Sequence, residues 1–387
     1  MRRITVLPRP NWQARCTEDG FVFASIDGEE YWQESACYSF TSDEVEAIHD
    51  ATSELNSMCF DLIQDVVKSG DYSDYHLPEW VLPLIDRSWQ NRDPHVYGRF
   101  DLVFKDGDIK LLEYNADTPT SLLESSVVQW TWLTDRELPD QFNSIHEKLV
   151  ERWRQIANKE NHKMSRVYLT TMGEAGLEDW GNLNYMAEVV FQAGIDCSTI
   201  NLEDVGWDQA ACHFVDTQDK QIQHCFKLYP WEWLIGDEFG KHTQYSKTRF
   251  IEPAWKMLLS NKAILPLLWA RHEGHPLLLP AFFAGNDAIR TKASSRWAKK
   301  PILSREGANI TMIDNGVPRQ LTGSTYSCAC EDVYVLQEWR DLPDFNGWHP
   351  VIGSWVVGDE PAGIGIREDR GQVTGNLSCF TPHYFEE

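Results

Sequence analysis

Arg99-Phe100-Asp101-Leu102-Val103-Phe104, followed by Ile109-Lys110-Leu111-Leu112-Glu113-Tyr114-Asn115, is the stretch on which the reading of this chain turns. The intervening Lys105-Asp106-Gly107 suits a three-residue hairpin loop with glycine in the left-handed position, pairing Phe104 with Asp108 and Arg99 with Glu113. The two-residue period of a strand then sends Phe100, Leu102, Phe104, Leu112 and Tyr114 into a core and Arg99, Asp101, Glu113 and Asn115 to the opposite face. A solvated strand face also collects charges, so charge alone does not mark a site. The mixture says more. Two carboxylates and an amide are oxygen ligands suited to Mg²⁺ that also carries substrate phosphates, and an adjacent arginine can hold a transferred group.

Outward from the hairpin, 387 residues with 42% hydrophobic content suffice for two or three closely packed domains. The first ten residues hold positive charge but no sustained apolar run, and no later stretch is long and uncharged enough to span a bilayer. Nine scattered cysteines form neither a paired CxxC framework nor a compact disulfide scaffold, so a reducing cytoplasm is the expected location. The formal charge of −24, from 59 acidic against 35 basic residues, argues against a nucleic-acid partner. It fits a cationic substrate such as a polyamine, but an acidic surface kept for solubility accounts for it more simply, because charge is a whole-surface quantity and a substrate pocket uses only a few carboxylates.

Thr41-x-x-Glu44 is a capping box, and Val45, Ile48, Leu55, Met58, Leu62 and Val66 recur at helical spacing up to Gly70. Further helices are expected near Glu79 to Trp89, from Leu122 to Leu133 with Trp130 and Trp132 in the core, and from about Asp140 to Asn158. Residues 159–163 form the best candidate linker. Beyond it, apolar strands at Arg166 to Leu169, Ser198 to Leu202 and Phe226 to Tyr229, with a helix from Leu183 to Ala193, suggest an α/β unit with a parallel sheet. A helix containing Lys262 leads to strands around Trp297 to Ile302, Asn309 to Ile313 and Val333 to Gln337. The last segment reads as an antiparallel pair, Val351 to Val357 and Ala362 to Arg367, turned at Asp359-Glu360.

Arg99-x-Asp101 and Glu113-x-Asn115-Ala116-Asp117 together resemble the magnesium motif of the glutathionylspermidine synthase family, ATP-dependent ligases of the ATP-grasp fold. Trp231-Glu232, residues 260–266, Lys300-Pro301-Ile302, Arg305-x-Gly307-x-Asn309, Gln337 and Gly365-Ile366-Arg367 extend the likeness in order, and it is nearest to the short form lacking the amidase domain. The resemblance implies an α+β, ATP-grasp-like fold with permuted element order, plus a pre-ATP-grasp α/β domain. The implied boundaries are a helical segment at 1–98, the magnesium hairpin and its helices at 99–160, and the pre-ATP-grasp or substrate domain at 164–250. An ATP-binding lid follows at 251–345, and returning strands at 346–387.

The same resemblance implies ATP and Mg²⁺ as cofactors, and a ligase that joins a small acid or peptide to an amine through an acyl phosphate. The family's own pair is glutathione and spermidine. Asp101, Glu113 and Asn115 would hold the metal, and Arg99 and Arg367 the oxyanion. Lys262, Lys300, Ser304, Arg305 and Gly307 would serve the phosphates, Gln337 and Glu338 the adenine, and Thr118, Thr120 and Glu232 the substrate. Pro119 departs from the small-hydroxyl pattern between Thr118 and Thr120. The residues themselves leave alternatives: the two lysines also suit an exposed lid surface, and Arg367 also suits a pairing with Glu368 or Asp369. No G-x-x-x-x-G-K-[ST] and no HExxH occurs, which excludes a P-loop and that zinc-protease motif. A non-catalytic ATP- or peptide-binding protein, or an acid phosphotransferase, would share the fold.

Overall fold

Two antiparallel five-stranded sheets face each other across the hairpin in a computed structural model that describes residues 1–26, 28–159, 164–285, 294–305, 307–321, 332–375 and 378–387. Residues 160–163 of the expected linker and Glu306 of the expected phosphate loop lie outside the described residues. The core sheet runs Cys379–Phe380, Glu360–Asp369, His349–Val357, Tyr97–Lys105, Asp108–Asn115, so the hairpin and the C-terminal strands share one sheet. The second sheet runs Ala281–Phe283, Tyr334–Glu338, Arg296–Pro301, Thr311–Asp314, Val317–Gln320. We refer to it as the cover sheet. A parallel four-stranded sheet of Arg249–Ile251, His224–Lys227, Arg166–Thr171 and Asp196–Asn201 forms the third layer, as the alternation of strands and helices predicts. A three-stranded sheet joins Arg2–Thr5, Ala36–Thr41 and His383–Glu386.

The core sheet is backed by the helix Ser42–Ser69, which starts at the expected capping box: Thr41 accepts from the Glu44 backbone N–H and its own N–H donates to the Glu44 carboxylate. Its buried stripe of Ile48, Leu55, Leu62 and Ile63 packs with Phe100, Leu102 and Phe104 in the largest apolar cluster. Gly70 ends the helix with φ 69°. No described helix is long and apolar enough to cross a membrane.

The hairpin differs from expectation in register. Lys105 pairs with Asp108, leaving a two-residue turn in which Asp106 (φ 55°) and Gly107 (φ 81°) both take positive φ. A bulge then adds one residue to the second strand, so Leu102 faces Leu111 while Asp101 faces Glu113 and Arg99 faces Asn115. Leu111 takes the core position expected of Leu112, and Leu112 packs instead with Val103, Leu342 and Val351.

Other elements shift for local reasons. The helix Ile145–Ala157 starts late because Gln141 and Ser144 are bound to other strands, Gln141 Nε2 donating to the His383 carbonyl (2.8 Å) and the Ser144 N–H to the Ala362 carbonyl (2.7 Å). The helix Leu177–Gln192 starts earlier than the apolar pattern indicates. The segment after Thr120 forms a π-turn over Glu124–Val128 and an α-helix over Gln129–Asp135, with Trp132 buried but Trp130 45% exposed. Lys262 is not helical: it lies between the helices Met257–Ser260 and Ile264–Arg271. The C-terminal hairpin turns at Gly358-Asp359, with Val357 paired to Glu360.

Candidate active site

Because Arg99, Asp101, Glu113 and Asn115 share one face of the core sheet, they form the floor of a cleft of about 140 Å³ roofed by the cover sheet. Asp101 is its buried hub. Arg99 Nε donates to Asp101 Oδ1 (2.8 Å), Arg367 Nη2 to Oδ2 (3.1 Å) and Asn115 Nδ2 to Oδ2 (3.3 Å). Arg367 therefore does not take the alternative pairing: Glu368 is bound by Arg3 and Tyr38, and Asp369 by Ser378. Arg99 also donates Nη1 to the Thr120 carbonyl (2.5 Å) and lies flat on the sheet over Gly353. A Cβ on Gly353 would come within 2.7 Å of Arg99 Cδ.

From the roof comes Lys300, buried, with Nζ donating to the Leu112 carbonyl (3.0 Å) and to Gln337 Oε1 (2.8 Å). Lys262, also buried, reaches Glu113 Oε2 at 3.3 Å and donates to the Ser304 carbonyl (2.8 Å). Neither lysine is an exposed residue of the cover. Burial alone would push the Glu113 carboxyl up, but the charges of Lys262 and Lys300 hold it down at about 2. Burial lowers Lys300 to about 8 against the attraction of Glu113. Gln337 spends both ends of its amide on the fold, donating to the Leu111 carbonyl (2.9 Å) while accepting from Lys300, and it lines the cleft together with Glu338, Trp339 and Arg340.

Thr118 and Thr120 line the cleft, and Arg305 Nη1 donates to Thr118 Oγ1 (2.7 Å). Glu232 and Ser304 do not line it. Glu232 holds Arg305 from behind at 3.0 Å, and Ser304 contributes its carbonyl to Lys262. Gly307, with φ 66°, backs closely onto the Thr374 carbonyl and closes one wall. Twelve of the fifteen expected site residues thus converge on one cleft, and the other three contact them. Among the described residues, no group of three or more His, Cys, Asp or Glu side chains is placed to hold a metal ion.

The sequence reading missed the layer beneath. Asp117, buried, pairs with buried Lys227 at 2.6 Å and accepts the Trp231 backbone N–H (2.7 Å), which fixes the chain on either side of Thr118 and Glu232. Glu178 lies beside Thr120, and burial raises its carboxyl. Behind it, Glu124 accepts from Tyr31 Oη (2.7 Å), and burial, reinforced by the charge of Glu178, raises it to about 8. The appearance of Asp117 two residues after Asn115 is the available signal for the first of these. No local pattern links Tyr31, Glu124 and Glu178.

The family described as glutathionylspermidine synthase preATP-grasp matches residues 3–386. The chain belongs to the glutathionylspermidine synthase family. A relative from Haemophilus influenzae named "Putative acid--amine ligase" is 46% identical over the full length of both chains. A trypanothione synthetase from Crithidia fasciculata is 28% identical over 79% of this chain and 50% of its own length. The bifunctional glutathionylspermidine synthetase/amidase of Escherichia coli is 26% identical over 89% and 58%. The chain therefore spans 50% and 58% of the length of these two longer family members. Among solved structures, a glutathione synthetase-like effector from Globodera pallida superposes with a TM-score of 0.56 over 90% of this chain and 89% of its own, at 12% identity, a likeness of fold alone.

Proposed function

We propose that this protein is an ATP-dependent carboxylate–amine ligase of the glutathionylspermidine synthase type, with an ATP-grasp arrangement in which the metal hairpin precedes the nucleotide cover in the chain. The observation that carries the reading is the composition of one cleft: two carboxylates and an amide on its floor, and arginines and buried lysines from separate segments around them. A cation-rich, water-poor cleft binds polyphosphate, because each charge acts with little screening.

Asp101, Glu113 and Asn115 suit a magnesium ion that shares its coordination with phosphate oxygens, since such ions use one or two carboxylates rather than a full protein cage. Bound there, the ion would neutralise phosphate charge. The cleft of about 140 Å³ is smaller than the roughly 300–1,000 Å³ usual for small-ligand sites, so nucleotide entry requires the cover to rise from the hairpin. Lys300 would then exchange the Leu112 carbonyl for phosphate oxygens.

In the reaction a substrate carboxylate oxygen attacks the γ-phosphorus, the bond to the β-phosphate oxygen breaks, and ADP leaves. The amine nitrogen then attacks the acyl carbon, gives up a proton, and phosphate departs. Arg99 and Arg367, bracketing Asp101, are positioned to hold the oxyanion and the leaving phosphate. Glu178, beside Thr120, is a carboxylate suited to the ammonium form of the amine and to its proton.

ADP release should be measured against a panel of peptides, small acids and polyamines, singly and in pairs. Hydroxylamine trapping with acid alone detects the acyl phosphate that either a ligase or a phosphotransferase would form, and addition of the amine separates the two, because only the ligase consumes it. With a productive pair in hand, Arg367→Ala should lower turnover about a hundredfold to a thousandfold with little change in ATP affinity. Retention of most of the rate would defeat the assignment.

A further inference from the structure

A cleft of about 850 Å³ opens between the helices Ser42–Ser69, Leu82–Gln90 and Ile145–Ala157, sharing no lining residue with the candidate active site. Four cations face it: Lys68, Arg92, Arg152 and Lys159. Among the described residues none of the four forms an ion pair. Arg152 Nε donates to the His95 carbonyl (2.8 Å) and Lys159 Nζ to the Arg92 carbonyl (2.8 Å). Acids are not scarce in a chain with 59 of them against 35 basic residues, so the lack of carboxylate partners is local.

Three acids also face the cleft, one fewer than the cations: Asp61, Asp93, whose carboxyl burial raises, and Asp359, which lies 3.3 Å from His95. Burial pulls the Arg152 guanidinium below its ordinary value despite the nearby charges of Asp359 and Glu252. An anion bound there would relieve a desolvation cost that the free protein carries. One wall is aromatic. Phe60 and Trp89, both half-buried, stand 6.1 Å apart and rest on buried Trp255 at 5.5 Å and 5.3 Å. Rings with one face packed and one open offer stacking surface to a flat ligand.

We propose that this cleft is a second ligand site, for a carboxylate or phosphate borne on a flat ring, with Arg152 and Lys159 on the anion and Trp89 and Phe60 against the ring. Its volume lies within the range of about 300–1,000 Å³ typical of small-molecule sites. The inference does not depend on the ligase reading.

Calorimetric titration of the full chain with phenyl phosphate, benzoate and inorganic phosphate tests it. Saturable binding of phenyl phosphate or benzoate is expected, and the tighter of the two identifies the anionic group. The dissociation constant should rise about tenfold in Arg152→Gln and in the double variant Lys68→Gln/Lys159→Gln, and stay unchanged in Lys300→Met. The double variant alters exposed side chains and so separates ligand loss from misfolding. Absence of saturable binding, wild-type affinity in both cleft variants, or loss in Lys300→Met would overturn the site. Inorganic phosphate binding as tightly as phenyl phosphate would refute the ring-stacking wall.

Discussion

Lys227→Met should destabilise the fold strongly while touching nothing that lines the candidate active site. Lys227 Nζ donates to Asp117 Oδ1 (2.6 Å) and to the Tyr229 carbonyl (3.0 Å), and it lies 4.8 Å from the Trp231 ring centroid. Removing it leaves the buried Asp117 carboxylate with the Trp231 N–H as its remaining hydrogen bond. Breaking a buried pair in this way costs about 3–5 kcal/mol. At an unfolding entropy of about 2.1 cal/mol/K per residue, a cooperative unit of 387 residues converts that cost into a fall in Tm of about 4–6 °C. Asp117→Asn should cost less, because burial already lowers Lys227 and an unpaired lysine can shed its proton. The double variant, which removes both charges, should recover part of the Lys227→Met loss. Thermal and urea denaturation of the three variants form the cycle. A Tm within a degree of wild type for Lys227→Met, or a double variant no better than the single, would refute the view that this pair anchors Thr118 and Trp231.

Lys300→Met should weaken ATP binding by about tenfold or more in calorimetry, and Lys262→Met by less, since only Lys300 lines the cleft. Equal affinities would show that Lys300 serves the cover and not the nucleotide. Gly353→Ala should displace Arg99, whose Cδ stands 2.7 Å from the added Cβ position, and overpacking of this kind costs about 1–3 kcal/mol. ADP release stimulated by the acid substrate should fall while ATP affinity holds, and an unaltered rate would show that Arg99 tolerates another path. Burial lowers His95 to about 4 and His383 to about 3, so below about pH 6.5 the unfolded chain takes up protons that the folded chain refuses. Stability should therefore be level with respect to these groups above pH 6.5 and fall as pH drops toward 4, by up to about 1.4 kcal/mol per pH unit for each histidine. His383→Gln should flatten that acid limb in urea titrations, and an identical limb would exclude His383 as a cause.

What the sequence revealed follows the range of the interactions involved. The capping box at Thr41 and Glu44, the stripe of the helix Ser42–Ser69 and the alternation of the hairpin are local patterns, and all three appear in the structure. The Asp117–Lys227 pair joins residues 110 positions apart, and the Tyr31–Glu124 bond joins residues 93 apart, so no window of sequence contains either. Lys262 is expected within a helix and is not in one. Instead its backbone N–H donates to the Ile302 carbonyl (2.8 Å), which breaks the helix and turns the side chain toward Glu113.

The hairpin shows why a correct face can follow from an incorrect register. A two-residue turn alone would set Asp101 opposite Leu112, and the bulge adds one residue that brings Glu113 to that position. The two departures add to a shift of two residues from the expected pairing of Arg99 with Glu113, and a shift of one full strand period keeps Asp101 and Glu113 on the same face, so the alternation of residue types survives them both. Their sum has a further consequence on the edge of the sheet. The second hairpin strand has no outer neighbour in its own sheet, and at the bulge the Leu111 carbonyl accepts from Gln337 Nε2 (2.9 Å) and the Leu112 carbonyl from Lys300 Nζ (3.0 Å). The irregularity that brings Glu113 opposite Asp101 therefore lies where the cover is fastened to the floor. Both fastenings are single hydrogen bonds, each worth about 0.5–1.5 kcal/mol net for a neutral pair and more for the charged lysine. Contacts of that size can be exchanged for phosphate oxygens, as the proposed rise and closure of the cover would require.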